Sequence, residues 1–142
     1  MIQVKHLLDD KGDRVFSIQP HDSVRNAIKS MAENGIGALL VIADGRLVGV
    51  VTERDYARKV ILQGRGSSET TVADIMVCEP VTVLPADSVE HCMAICTERR
   101  IRHLPVVLEG KVVGLVSIGD LVKSVISQQA EQLRQMEQYI AG

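Results

Sequence analysis

The chain is 142 residues long, 46% hydrophobic and 24% charged, with a formal net charge of -2. That balance excludes a disordered tail and a polycation built for nucleic acid. Its aromatic residues are Phe16, Tyr56 and Tyr139, so the stacking platforms of single-strand binders are absent and the core must consist of Val, Ile, Leu and Ala. No apolar run approaches the ~18 residues that span a bilayer, and the N-terminal stretch is too charged for a secretion signal. A cytoplasmic location is expected, with neither nucleic acid nor membrane as partner.

In chain order, residues 4–8 read as a short helical lead-in. Residues 15–18 predict a short strand, and Asp22-Ser23 opens a helix to about Asn34, with either side chain able to cap the free amides of the first turn. Residues 36–42 form a nearly continuous apolar strand, Asp44-Gly45 a two-residue hairpin turn, and residues 47–51 the returning strand. A second helix is expected from Thr52 to about Leu62. Residues 63–70 are polar and glycine-rich and read as a linker, and residues 72–76 as one helical turn.

The same order then recurs: strand 81–83, helix 88–99, strand 104–108, turn Glu109-Gly110, strand 112–116 and a helix from Ser117 onward. That last helix runs on to Tyr139. Leu133, Met136 and Ile140 recur on it at helical spacing on an otherwise polar surface, which predicts docking on a neighbour.

Residues 14–55 repeat without a gap as residues 79–120, at an offset of 65. Pro20-His21-Asp22-Ser23-Val24 becomes Pro85-Ala86-Asp87-Ser88-Val89, and Gly49, Thr52 and Asp55 become Gly114, Ser117 and Asp120. Two copies of one folding unit follow. A unit of roughly 55 residues has a marginal core alone, so the copies are expected to bury apolar faces on each other, with a ligand cleft between them. The division expected along the chain is 1–66, 67–127 and a helical extension 128–142.

Cys78, Cys92 and Cys96 form no Cys-x-x-Cys pair. Cys92 and Cys96, with His91 or His103, have a metal-ligand reading, but residues four apart on a helix share a face, and two small buried apolar groups are the favoured reading. No metal and no disulfide framework are expected. No nucleophile motif, GxGxxG or Walker loop is present, so no catalytic residue and no enzymatic activity are expected.

The motif that carries chemistry is Thr52-x-x-Asp55, repeated as Ser117-x-x-Asp120. A carboxylate one turn after a hydroxyl, at a strand-to-helix junction, can accept two hydrogen bonds from the cis-diol of a ribose. Helix capping boxes are the other reading of the same residues. Duplication in register, with a glycine three residues before each hydroxyl, favours the ligand. Arg54, Arg58, Lys59, Arg102 and His103 are the cationic candidates for a phosphate, because the arginine fork bonds two oxygens. For Arg58 and Lys59 a solvated helix face is equally open. Gly119 stands where the first copy has Arg54, and Gly37 and Ala38 where the second has Arg102 and His103, so the two sites are expected to differ.

From Val4 to about Ser127 the chain resembles the cystathionine-β-synthase (CBS) domain family, whose β-α-β-β-α units pair into a Bateman module. The resemblance rests on the duplicated Gly49-to-Asp55 and Gly114-to-Asp120 segments and on Arg102-His103-Leu104-Pro105-Val106. More narrowly, the chain is similar to small stand-alone CBS-pair proteins of bacteria and plant organelles. It implies an α/β (α+β) fold, tandem CBS domains with pseudo-two-fold symmetry. Asp55 and Asp120, with Thr52 and Ser117, would hold the ribose of AMP, ADP, ATP, NAD or S-adenosylmethionine. Ile18, Ile36, Gly37, Ala38, Val83, Ile101, Arg102, His103 and Pro105 would line the pocket. The implied role is a regulatory signalling module acting on an unidentified effector protein, and the alternative a constitutive interaction protein that controls a redox partner. A homodimer packed through Ala27-Ile28-Met31 and Cys92-Met93-Cys96 is also implied.

Overall fold

The computed structural model describes residues 2–11 and 15–141. The first copy holds β1 (Ser17–Ile18), α2 (Val24–Asn34), β2 (Ala38–Ala43), β3 (Arg46–Thr52) and α3 (Glu53–Tyr56), preceded by α1 (Val4–Lys11). The second copy holds β4 (Val77–Cys78), α5 (Val89–Arg99), β5 (His103–Leu108), β6 (Lys111–Ser117) and α6 (Ile118–Ala141), preceded by α4 (Val72–Ile75). The repeat persists into hydrogen-bond register. Ala38 faces Thr52 as His103 faces Ser117, and the irregularity between Val41 and Ile42 recurs between Val106 and Val107. The Ile18–Val41 pairing of β1 has its counterpart in an isolated parallel bridge from Val83 to Val106.

Two expected strands are therefore shorter than their apolar pattern suggested. Residues 15–18 pair only at Ser17–Ile18, and residues 81–83 only at Val83. The helix expected to run from Thr52 to Leu62 changes type: α3 passes into a π-helical turn over Ala57–Ile61, closed by Leu62 N–H donating to the Ala57 carbonyl at 3.0 Å. Helix α2 begins at Ser23, whose hydroxyl accepts from the Asn26 amide at 3.1 Å, and ends at Gly35 in the left-handed region (φ 62°).

The short lead-in helices exchange places. Val4 of α1 is fully buried in the core of the second copy with Val89, Cys92 and Leu104. Val72 and Ile75 of α4 are buried in the core of the first, with Val24, Leu39 and Val51. Segments of eight and four residues are too short to persist alone, and their apolar residues contribute about 1.5–3 kcal/mol each on burial. Backbone bonds pin them: Val4 N–H to the Asp87 carbonyl at 2.9 Å, and Val72 N–H to the Asp22 carbonyl at 2.8 Å. The division at 66/67 follows the repeat along the chain, whereas the cores cross it.

This exchange explains the duplicated glycines. A Cβ on Gly49 would lie 2.7 Å from the Met76 sulfur and 2.9 Å from the Val77 carbonyl, and one on Gly114 would lie 2.5 Å from Leu8. The glycines admit the exchanged segments against β3 and β6. They are packing devices, so their recurrence does not weigh toward a ligand as the sequence reading had it. A third core cluster, built from Ala38, Leu40 and Val50 with Val112 and Leu115, joins the two sheets.

Of the dimer surface expected from the sequence, Ala27, Met31, Cys92 and Cys96 are at most 5% exposed and face the cores of their own copies, while Ile28 and Met93 are half-buried at the edges of those cores.

Candidate functional site

A cavity of about 510 Å³ opens where the copies meet. The first copy supplies Gly37 and the strand-to-helix junction from Thr52 to Asp55, and the second supplies residues 79–81 and 100–103. Gly37 is held to the junction by Glu53 N–H donating to its carbonyl at 3.1 Å, and the symmetric bond runs from Ile118 N–H to the Arg102 carbonyl at 2.8 Å. Val50, Val81 and Ile101 make the wall largely apolar.

Thr52 and Asp55 form a true capping box. The Thr52 hydroxyl accepts from the Asp55 amide at 3.1 Å, while Asp55 Oδ2 accepts from the Thr52 amide at 3.0 Å and from its hydroxyl at 3.1 Å. The other oxygen, Oδ1, pairs with Lys59 Nζ at 3.2 Å, and the same ammonium donates to the Ile75 carbonyl at 2.8 Å. Asp55 is 8% exposed. With two bonds already on Oδ2, a ligand hydroxyl meets spare acceptor capacity on Oδ1, so capping and ligand contact are compatible in one side chain. Ser117 and Asp120 repeat the box, with Oδ2 accepting from the Ser117 amide at 2.8 Å and the Ser117 hydroxyl from the Asp120 amide at 3.1 Å.

Of the sequence candidates, Gly37, Thr52, Arg54, Asp55, Ile101, Arg102 and His103 line this one cleft. Ser117 and Asp120 stand at the pseudo-symmetric junction, where Ile36 and Ala38 are the counterparts of Ile101 and His103. Ala38 is buried between the sheets and Val83 in the second core, Pro105 is buried, and Ile18 and Ile36 pack on the first core. None of the five lines the cleft. Arg58 and Lys59 are both exposed and lie outside it on a solvated helix face, with the Lys59 ammonium held between Asp55 and α4.

Arg100, Glu53 and Glu79 also line the cleft and were missed. Arg100 occupies the left-handed cap of α5 at φ 55°, where the first copy has Gly35. A non-glycine residue in that conformation was the signal available in the repeat alignment.

Arg54 comes from the first copy, Arg100, Arg102 and His103 from the second, and all four meet in the same cavity. Their repeat counterparts are Gly119, Gly35, Gly37 and Ala38. Glu53, Asp55 and Glu79 supply the opposing charge, and the counterpart of Glu79 is Arg14, which lies outside the described residues.

The cysteines take no part. Burial, then the nearby Asp87 and Cys96, push the Cys92 thiol up to about 11, and burial also raises that of Cys96. Among the described residues no group of three His, Cys, Asp or Glu side chains is arranged to hold a metal, and no helix is long and apolar enough to cross a membrane.

Two copies of one α/β unit, closed around a ligand-sized cleft, define a tandem-repeat binding module. The profile of the CBS domain matches residues 7–61 and 72–127, and the chain belongs to that family as a CBS pair. It is 44% identical over 126 residues to the "CBS domain-containing protein CBSX3, mitochondrial" of Arabidopsis thaliana, covering 85% of this chain and 61% of that one, so it spans less than two thirds of that relative's length. A CBS-domain protein of Burkholderia ambifaria MC40-6 superposes with a TM-score of 0.87 at 51% identity, over 90% of this chain and 96% of that one. The CBS domain protein PAE2072 of Pyrobaculum aerophilum, solved as a complex with AMP, superposes with a TM-score of 0.76 at 29% identity, over 84% and 89% of the two chains.

Proposed function

We propose that this CBS pair binds a phosphate-bearing adenosine ligand in the cleft between its copies and reports occupancy to an effector protein. The observation that carries the reading is the convergence of Arg54, Arg100 and Arg102 beside the Thr52–Asp55 junction. In this reading Asp55 Oδ1 accepts a ribose hydroxyl, the guanidinium groups take the phosphate, and Val50, Val81 and Ile101 flank the base. The AMP complex of the Pyrobaculum relative supports the ligand class. Three arginines favour AMP, ADP, ATP or NAD over S-adenosylmethionine, which lacks a phosphate and carries a sulfonium charge of the wrong sign.

Occupancy has a route outward. A hydroxyl on Oδ1 shares that oxygen with Lys59, whose ammonium also holds the Ile75 carbonyl at the end of α4, and the chain from there forms residues 79–81 of the cleft wall. A ligand that prefers one setting of this bridge shifts the population toward it. No bond-breaking chemistry is assigned to the site.

Calorimetric titration with AMP, adenosine and 2′-deoxy-AMP tests the reading. AMP should bind at least tenfold more tightly than adenosine and than the deoxy ligand. Arg54→Ala should cost AMP about 1.5–3 kcal/mol and adenosine under about 0.5 kcal/mol. Equal affinity for AMP and adenosine removes the phosphate assignment, and no binding at all leaves the interaction-protein reading, which rests on the exposed face of α6.

A further inference from the structure

The arginines of the cleft do not come alone. Glu53, at the start of α3, and Glu79, before Pro80, line the same cavity. Glu53 is drawn inward: its Oε1 lies 2.9 Å from the point where a Gly37 Cβ would stand, and the His103 Nε2 lies 4.0 Å from that same point. Gly37 therefore leaves the room that the carboxylate occupies, at the position where the second copy carries Arg102. Glu79 holds a left-handed backbone at φ 48°, a strained setting for a glutamate and more so for a residue that precedes a proline. The repeat counterpart of Glu53 is the apolar Ile118, so this acid, like Arg54, belongs to one junction only.

Among the described residues neither acid forms an ion pair with Arg54, Arg100 or Arg102, so each acts on whatever enters the cleft rather than on a fixed partner. Asp55 differs, because Lys59 offsets it. With His103 neutral, the three arginines alone would give the cleft a charge of +3, and Glu53 and Glu79 reduce it to +1. A monophosphate brings about two negative charges at pH 8, and each further phosphate about one more. The cleft as it stands is then left at about -1 by a monophosphate and at about -3 by a triphosphate, whereas without the two acids the triphosphate would leave about -1. Unmatched charge held away from water is costly, and its self-energy grows as its square. Attraction of phosphate needs no acid; discrimination between phosphates does, because a repulsive group penalises the more highly charged ligand.

We propose that Glu53 and Glu79 set the phosphate number of the ligand and make the cleft a nucleoside monophosphate site that disfavours the triphosphate. The inference rests on the phosphate-bearing adenosine reading and narrows its ligand class. Repulsion from one acid is proportional to the charge of the ligand, so the factor lost by a ligand of about four charges is the square of that lost by one of about two. Uncharged adenosine is indifferent to it.

Calorimetric titration of the full chain with adenosine, AMP and ATP, at pH 8 with EDTA to keep divalent cations off the phosphates, tests it. The parent should bind AMP about fivefold more tightly than ATP. Glu53→Gln and Glu79→Gln should each raise AMP affinity about threefold and ATP affinity about tenfold and leave adenosine unchanged, so the double variant should place ATP ahead of AMP. Both residues are exposed and glutamine keeps their size, so the melting curves should stay with that of the parent. Equal affinity of the parent for AMP and adenosine overturns the phosphate reading, and this inference with it. With AMP ahead of adenosine, a parent that prefers ATP overturns the role of the acids alone, as does a gain in the variants that is absent or is the same factor for AMP and ATP.

Discussion

Replacing Lys59 by Met tests the bridge at the foot of the cleft. Lys59 Nζ lies 3.2 Å from Asp55 Oδ1 and 2.8 Å from the Ile75 carbonyl, with the lysine side chain 44% exposed and the aspartate 11%. At that separation the gross attraction is about 5 kcal/mol for an effective dielectric of 20. Desolvation and the ordering of a long side chain oppose it, and exposed pairs retain under ~1 kcal/mol while breaking a buried pair costs ~3–5 kcal/mol. A half-exposed pair with an added carbonyl contact belongs between these limits, at about 1–2 kcal/mol. Methionine keeps most of the apolar stem, so the loss reports the charge.

For a chain of this size the melting midpoint should fall by about 3–8 °C, read by circular dichroism. Calorimetry on the same variant should show AMP and adenosine affinities changing by the same factor, because Lys59 addresses Asp55 and no phosphate. A midpoint within 1 °C of the parent would mean the bridge adds nothing. A loss confined to AMP would make Lys59 a phosphate contact and refute the assignment drawn from its position.

Gly119→Ala should be neutral or raise stability by up to about 1 kcal/mol in urea unfolding, since its Cβ would meet only the Ser117 hydroxyl at 3.6 Å, in the first turn of a helix. Gly114→Ala should instead cost about 1–3 kcal/mol, because its Cβ would lie 2.5 Å from the half-buried Leu8 side chain, which must move. In a thiol-reagent titration of the folded protein at pH 8, exposed Cys78 should react quickly and buried Cys92 and Cys96 only on unfolding. The Cys92 thiol is raised from 9.0 to about 11, so folding favours its protonated form; that stability is present below pH 9 and falls as pH rises toward 11. A midpoint constant across that window would refute it.

The repeat, the element order and the hairpin turns were legible in the sequence because each depends on local pattern. Alternation of apolar residues, a capping Ser23 or Ser88, and Gly at the second turn position act within a few residues of themselves, and the offset of 65 carried them intact into register. Membership of Asp55 and Asp120 in helix-capping junctions was legible for the same reason. What those junctions face was not. Arg54 and Arg102 lie 48 positions apart in the chain, and only the pseudo-two-fold packing turns the start of α3 toward the start of β5. Repeat alignment sets Arg54 opposite Gly119 and Arg102 opposite Gly37, which suggests charges spread over two sites. Rotation of one copy onto the other adds them in one. The exchange of α1 and α4 was equally hidden, because an apolar face four to eight residues long specifies that it must be buried and does not specify which core receives it. Tertiary structure decided that, and with it the reason that positions 49 and 114 are glycine.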